Sequence, residues 1–202
     1  MKRPTRREEN RLYRRGYRLI AGTDEVGRGA WAGPLVAAAV ILPKEFQLVG
    51  LNDSKKLAAK QREKLYKQII HRAVAWSTAA VEQQQIDRHG LSQANRRALR
   101  QSVEQLPVRP DFILVDSFNF SFKSIPGRGI VRGDATVACI AAASIIAKVT
   151  RDRMMVAHHR RYPRYHFHQH KGYGTAEHRR LLLKHGPCAL HRFSFEPIKS
   201  LV

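Results

Sequence analysis

Two adjacent carboxylates, Asp24 and Glu25, follow the apolar run Leu19-Ile20-Ala21 and precede a tight Gly27-Arg28-Gly29 turn. Two further acids stand out by setting. Asp116 ends the apolar run Phe112-Ile113-Leu114-Val115, and Asp134 follows Arg132-Gly133 just ahead of a long apolar stretch. Carboxylates that meet from separate segments suit a hard divalent cation such as Mg²⁺ or Mn²⁺, which takes oxygen ligands. A pair of such cations hydrolyses phosphodiesters: one activates the attacking water and the other stabilises the leaving oxygen. Acids at strand ends also lie where α/β sites tend to form. Each acid has an ordinary reading as well. Asp24 and Glu25 read as turn residues, although Gly27 and Gly29 already supply the turn. Asp116 reads as the start of a loop, and Asp134 alone reads more readily as a helix cap. Neighbours on a regular strand point to opposite faces. Asp24 and Glu25 therefore share one centre only where the strand ends or twists, or where Glu25 lends its backbone carbonyl.

The elements that must position these acids sit in a very basic chain. Its 202 residues carry 37 Lys and Arg against 16 Asp and Glu, a formal net charge of +21. That imbalance points to a polyanionic partner, nucleic acid ahead of an anionic membrane, with a ribosomal-type basic protein as the plain alternative. A hydrophobic share of 43% argues for a globular chain, and the length suits one domain. No apolar run reaches the roughly 18–20 residues that span a bilayer. Residues Met1 to Arg15 lack the apolar segment of a signal peptide. The expectation is a cytoplasmic protein with no membrane partner. Cys139 and Cys188 have no metal-like spacing and read as reduced, packed thiols.

Along the chain, residues 1–17 read as a basic, mobile N-terminal extension and 18–202 as one domain. Strands are expected at Arg18–Thr23, Pro34–Leu42, Val74–Val81 and Phe112–Val115. The second of these is apolar throughout and so buried on both faces. Helices are expected at Ala59–Ala73, where Leu65, Ile69 and Ile70 have helical spacing, and at Ser92–Leu106 with Ser92 as cap. A long helix over Val137–Tyr162 is apolar nearly all round in its first half, the mark of a core helix. A last helix, Thr175–His185, is capped by Thr175 and closed by Gly186-Pro187. Early strands with hairpin-like spacing and late helices describe an α/β domain on a mixed sheet with a helical C-terminal part. Gly27-x-Gly29 with Gly33 makes a poor dinucleotide loop, because no helix starts there and two carboxylates stand directly before it.

These pieces together resemble type 2 ribonuclease H, the ribonuclease HII family. The matching stretches are Asp24-Glu25-Val26-Gly27-Arg28-Gly29 with Ala32-Gly33-Pro34, Asn52-Asp53-Ser54-Lys55-Lys56-Leu57, Gly133-Asp134, Ala141 through Arg153, Lys171-Gly172-Tyr173-Gly174-Thr175 and His191-Arg192-Phe193-Ser194-Phe195. They run in order over nearly the whole chain outside the N-terminal extension. The resemblance implies a ribonuclease H-like fold, a mixed five-stranded sheet flanked by helices. It implies a metal-dependent endonuclease that uses Mn²⁺ or Mg²⁺. Such an enzyme cuts the RNA strand of RNA–DNA hybrids and incises DNA duplexes at embedded ribonucleotides, leaving 3′-hydroxyl and 5′-phosphate ends. It places the four metal-site acids on Asp24, Glu25, Asp116 and Asp134. Where the family has glycine after the third acid, this chain has Ser117-Phe118-Asn119. The family's ribose-reading loop falls on Gly27, Arg28 and Gly29, where backbone approaches a 2′-hydroxyl closely. Tyr173 matches the tyrosine that packs on the sugar. Lys55 and Lys56 are candidate phosphate contacts, with solvated lysines as the ordinary reading. Lys148 and Asp152, four apart on a helix, read as an ion pair. His166, His168 and His170 alternate in a way that suits a strand better than a zinc site, and are expected to add to the binding surface when protonated. The chain is expected to act as a monomer. A non-catalytic hybrid binder and type 3 ribonuclease H are the rivals. The latter carries an N-terminal substrate-binding domain for which seventeen residues are too few.

Overall fold

The computed structural model of the chain describes residues 3–47, 49–117, 122 and 124–201, with the side chain of Lys56 outside the described set. In chain order the elements are α1 (Arg7–Tyr13), β1 (Ile20–Val26), β2 (Leu35–Ile41), α2 (Ala59–Arg72), β3 (Ala75–Val81), α3 (Gln83–His89), α4 (Leu91–Glu104), β4 (Phe112–Asp116), β5 (Gly127–Ile130), α5 (Gly133–Thr136), α6 (Ala138–Arg161), α7 (Phe167–His170) and α8 (Ala176–His185). Among the described residues, the five strands form one mixed sheet in the order β3-β2-β1-β4-β5. The β1–β2 and β2–β3 pairs are antiparallel, and β1–β4 and β4–β5 are parallel.

Side-chain alternation along the strands divides the core in two. On one face Ile20, Ala38, Val40 and Leu114 pack against the apolar half of α6 and against Leu65 and Ile69 of α2. On the other, Ala21, Ala37, Ala39, Ile113 and Val115 pack against Ala94, Ala98 and Leu99 of α4. All seven residues of β2 are buried. Its unbroken apolar run is what a strand covered on both faces requires. A third, smaller cluster of Ala32, Met155, Tyr165, Phe167 and Leu190 fastens the C-terminal part to the far half of α6.

Three expectations change. Residues 3–15 are docked, with α1 packed on the domain. Thr5 brackets Val137 by two backbone hydrogen bonds, Thr5 N to Thr136 O and Ala138 N to Thr5 O, both 3.0 Å. Buried Glu9 accepts the Cys139 N–H at 3.0 Å. Helix α6 begins without a side-chain cap of its own, so Glu9 satisfies one of its open N–H groups from 130 residues away. Helix α4 starts at Leu91 after Gly90, and no side chain caps it, so Ser92 lies inside the first turn. Residues 166–170 do not form a strand. His168 and His170 share the single turn of α7.

Candidate active site

The four acids come from three segments to one end of the sheet. Thr23 of β1 is the last residue paired with β4, opposite Val115. Asp24 and Asp116 therefore leave neighbouring parallel strands side by side. On its other edge β1 stays in register, with Asp24 opposite Ala38 and Glu25 opposite Ala37, so the strand does not end at its acids. Asp116 then draws in the fourth acid. Its Oδ1 accepts the Gly133 N–H at 2.6 Å and, more weakly, the Asp134 N–H at 3.4 Å. Asp134 lies in the first turn of α5, and no side-chain cap precedes either α5 or α6. Its side chain instead accepts from Lys55 Nζ at 3.3 Å.

Burial and crowding set the charge state of this end. Asp24 is 4% exposed. Burial raises its pKa well above the ordinary value, Glu25, Asp116 and Asp134 raise it further, and the Ser144 hydroxyl bonded to it works the other way. Glu25 is raised by burial, pulled down by Arg28 and pushed up by Asp116. Asp134 is raised by burial and Asp116 and lowered by Lys55. Two cations lean on the cluster from outside: Arg28 at 3.4 Å from Glu25, and Lys55. Among the described residues, no three Asp, Glu, His or Cys side chains stand closed around a metal position. The donor set is nevertheless all oxygen, and Glu25 Oε2 is buried with no hydrogen-bond partner.

Gly27, Arg28 and Gly29 form the turn directly after β1. Gly27 has φ +97°, and a Cβ there would meet Arg151 Nε at 2.4 Å, so only glycine fits. The Arg28 side chain is half exposed, and nothing stands near a Cβ position at Gly29. Tyr173 reaches the same place through a bridge between Ala30 and Tyr173. Two fully buried arginines hold these loops. Arg151 donates to the carbonyls of Pro34, Lys171 and Ala32 at 2.8, 2.9 and 3.0 Å. Arg192 donates twice to the Gly33 carbonyl, at 3.0 and 2.9 Å, and once to that of Arg28, at 3.0 Å. Burial and the neighbouring Arg151 lower Arg192 to about 9, so it stays charged at neutral pH.

Sequence reasoning missed these arginines, along with Ser144 and the buried His178 and His191. Ser144 was visible as the one hydroxyl in the apolar first half of α6, and its Oγ also lies 2.8 Å from Ser54 Oγ. The arginines lie within stretches that carry the resemblance, but their role gave no local signal, because all their partners are backbone carbonyls, and all of these but that of Lys171 are more than a hundred residues away. Ser117 sits at φ +73°, the left-handed region that favours the family's glycine. Its hydroxyl donates to Asp116 Oδ2 at 3.0 Å. Phe118 and Asn119 lie outside the described residues, as does the side chain of Lys56. Lys148 and Asp152 form the expected ion pair at 2.7 Å. With Arg62, Lys171 and Tyr173 they line a cleft of about 590 Å³. Of the three alternating histidines, His170 is buried, with burial lowering its pKa. It is therefore not part of a protonated binding surface.

The chain that gathers these acids has relatives of known family. The family model described as Ribonuclease HII matches residues 21–198. The chain belongs to the ribonuclease HII family. It is 50% identical to a ribonuclease HII of Idiomarina loihiensis over 91% of this chain and 98% of that one. It is 49% identical to one of Acidothermus cellulolyticus over 96% of this chain and 64% of that longer one. The crystal structure of the ribonuclease H2 from Pyrococcus horikoshii OT3 superposes with a TM-score of 0.78 at 26% identity, covering 91% of this chain and 96% of that one. The fold is ribonuclease H-like, and the protein is a ribonuclease H, an endonuclease acting on the RNA of RNA–DNA hybrids.

Proposed function

We propose that Asp24, Glu25, Asp116 and Asp134 hold divalent cations, Mg²⁺ or Mn²⁺. At that centre the enzyme incises DNA duplexes at embedded ribonucleotides as well as cutting hybrids, leaving 3′-hydroxyl and 5′-phosphate ends. One observation carries the reading: four carboxylates crowd one end of the sheet around buried Asp24, whose ionised form the protein itself disfavours. Such a set is comfortable as anions only opposite added positive charge. The buried, unpartnered Glu25 Oε2 supports the same reading. When bound, a divalent cation supplies Lewis acidity to water and to the phosphate. The chain does the rest. Gly27 and Gly29 let backbone approach the 2′-hydroxyl, the group that separates RNA from DNA. Arg28 meets a phosphate, Lys55 and Lys56 add further phosphate contacts, and Tyr173 packs on the sugar. The charge of +21 draws the polyanion in. We place the enzyme in the cytoplasm as a monomer, repairing DNA that contains ribonucleotides.

Asp24→Asn tests this. On a duplex with one ribonucleotide, its cleavage rate is expected to fall by more than about 100-fold, beyond what changes outside the ligand shell cost. The fold should be retained by circular dichroism. A variant that cuts as fast as the parent removes the metal-site assignment.

A further inference from the structure

Behind Tyr173 the structure stacks three histidines that the cleavage chemistry does not use. His178 Nδ1 lies 3.0 Å from the Tyr173 carbonyl oxygen, and His178 Nε2 lies 3.1 Å from His191 Nε2. The Cys188 N–H reaches His191 Nδ1 at 2.9 Å. Chemistry fixes both ends of this chain, because a carbonyl only accepts and an amide N–H only donates. Starting from Tyr173, His178 Nδ1 must carry hydrogen. Its neutral ring then has a bare Nε2, and His191 Nε2 must donate to it. Starting from Cys188, His191 Nδ1 must be bare, so its Nε2 carries hydrogen. The two ends demand the same polarity at the imidazole–imidazole contact. The Cys188 carbonyl, 3.2 Å from His191 Nδ1, already accepts the main-chain N–H of His191 at 2.9 Å. The Cys188 thiol, also 3.2 Å away, adds a weak donor to the same bare nitrogen.

Both rings are 0% exposed. Burial first and neighbouring histidines second push His178 down to about 3, and burial pushes His191 down to about 4. Both are neutral at working pH, as the relay requires. His170 stacks on His178 with centroids 4.2 Å apart at 14°. It donates to the Tyr165 carbonyl at 2.7 Å and accepts the Gly172 N–H at 3.2 Å, which fixes its own tautomer.

Tyr173 needs such support because both its neighbours are glycine. At Gly172, with φ +82°, a Cβ would lie 2.4 Å from the Ala32 carbonyl oxygen. At Gly174 it would lie 2.3 Å from the Trp31 ring. Close packing demands glycines there, and glycines leave the backbone loose. The Tyr173 carbonyl is held twice, by the Thr175 N–H at 2.8 Å and by His178.

We propose that His178 and His191 are positioning residues, a neutral two-imidazole relay of fixed direction that locks the Tyr173 peptide and so aims its ring at the substrate sugar. The inference deepens the reading of Tyr173 given above and rests on it.

Two measurements test the relay. Long-range ¹⁵N–¹H spectra of the wild-type enzyme are expected to show His178 with hydrogen on Nδ1 and His191 with hydrogen on Nε2. The reverse pattern at either ring overturns the relay, whatever Tyr173 does. In variants, His178→Asn places an amide nitrogen where Nδ1 stood and keeps the Tyr173 bond, whereas His178→Gln places one where Nε2 stood and loses it. On a duplex with a single ribonucleotide, His178→Gln is expected to raise KM about tenfold, the size of one lost hydrogen bond, with kcat little changed. His178→Asn should stay near the parent. Equal losses in both variants, or a loss confined to kcat, overturn the positioning role. An unchanged KM in Tyr173→Ala instead overturns the reading of Tyr173 as the sugar contact.

Discussion

At the acidic end of the sheet, Asp24, Glu25, Asp116 and Asp134 crowd like charges, and Glu25 Oε2 has no protein partner. Around the Gly27-Arg28-Gly29 and Tyr173 loops, Arg151, Arg192, His178 and His191 are at least as deeply buried, yet every one of their side-chain nitrogens is matched. Both regions place ionisable groups out of water. One leaves them in tension that external positive charge relieves. The other satisfies them inside the chain and uses them to stiffen loops. A site that must accept a cation benefits from the first arrangement, and a surface that must hold one shape benefits from the second.

Breaking the satisfied region should have the largest effect on stability. Arg151→Met removes three donors from the carbonyls of Pro34, Ala32 and Lys171 in the interior. Chemical denaturation should show a loss of about 3 kcal/mol or more, because each buried acceptor left open costs about 1–3 kcal/mol. A loss under about 1 kcal/mol would mean that water replaces the guanidinium easily, and the contrast between the regions would fail.

Acid sharpens the comparison, because the two regions respond with opposite sign. Asp24, Glu25 and Asp134 have raised values in the folded state. Their stabilising contribution is complete below the unfolded carboxylate range and is lost as pH rises through the folded values. His178 and His191 are depressed to about 3 and about 4 from 6.5. Their contribution is complete above pH 6.5 and is lost as pH falls towards those values, at about 1.4 kcal/mol per pH unit for each ring. In chemical unfolding between pH 7.5 and 4.5, two variants should therefore flank the metal-free parent enzyme. His178→Asn should lose less stability on acidification than the parent, by about 2 kcal/mol at pH 5. Asp24→Asn should lose more, since it lacks one carboxyl that gains from protonation. Parallel curves for all three proteins would remove the electrostatic distinction.

The two regions also differed in how legible they were. Asp24 and Glu25 stood out in the chain because they adjoin one another between an apolar run and the Gly27-Arg28-Gly29 turn. Strands β2 and β4 and helices α2, α6 and α8 announced themselves through apolar runs, helical spacing and the Thr175 cap, whose Oγ1 accepts the His178 N–H at 3.1 Å. Strand β5, Gly127-Arg128-Gly129-Ile130, has two glycines and a single β-branched residue, and exists because β4 offers a parallel edge, with Ile113 opposite Gly127. Helix α1 looked like a charged tail because only Glu9 and Leu12 of it are buried, too few to make a periodic pattern. Its anchor is a carboxylate meeting the start of a helix far along the chain. The histidine relay was invisible for a similar reason. His178 and His191 are thirteen residues apart on different segments, and their partners are main-chain groups of Tyr173 and Cys188, which carry no side-chain signature.

The smallest expected effect probes the tense region from outside. Lys55 Nζ is 3.3 Å from Asp134 Oδ2, but its side chain is 76% exposed. Burial works against its charge while Asp134 and Asp24 raise its pKa. Solvent screens such a contact, and pairs of this kind contribute about 0–1 kcal/mol. Lys55→Ala should thus shift the chemical-denaturation midpoint of the metal-free enzyme only slightly. Asp134 should become harder to ionise, since Lys55 is the cation that pulls it down. A loss well above 1 kcal/mol would show that the acids already have an internal counter-ion strong enough to hold them. The acidic end would then be a satisfied structure like the loops around Tyr173. A small loss leaves the acids dependent on charge from beyond the chain, which is the condition under which a divalent cation gains most by binding there.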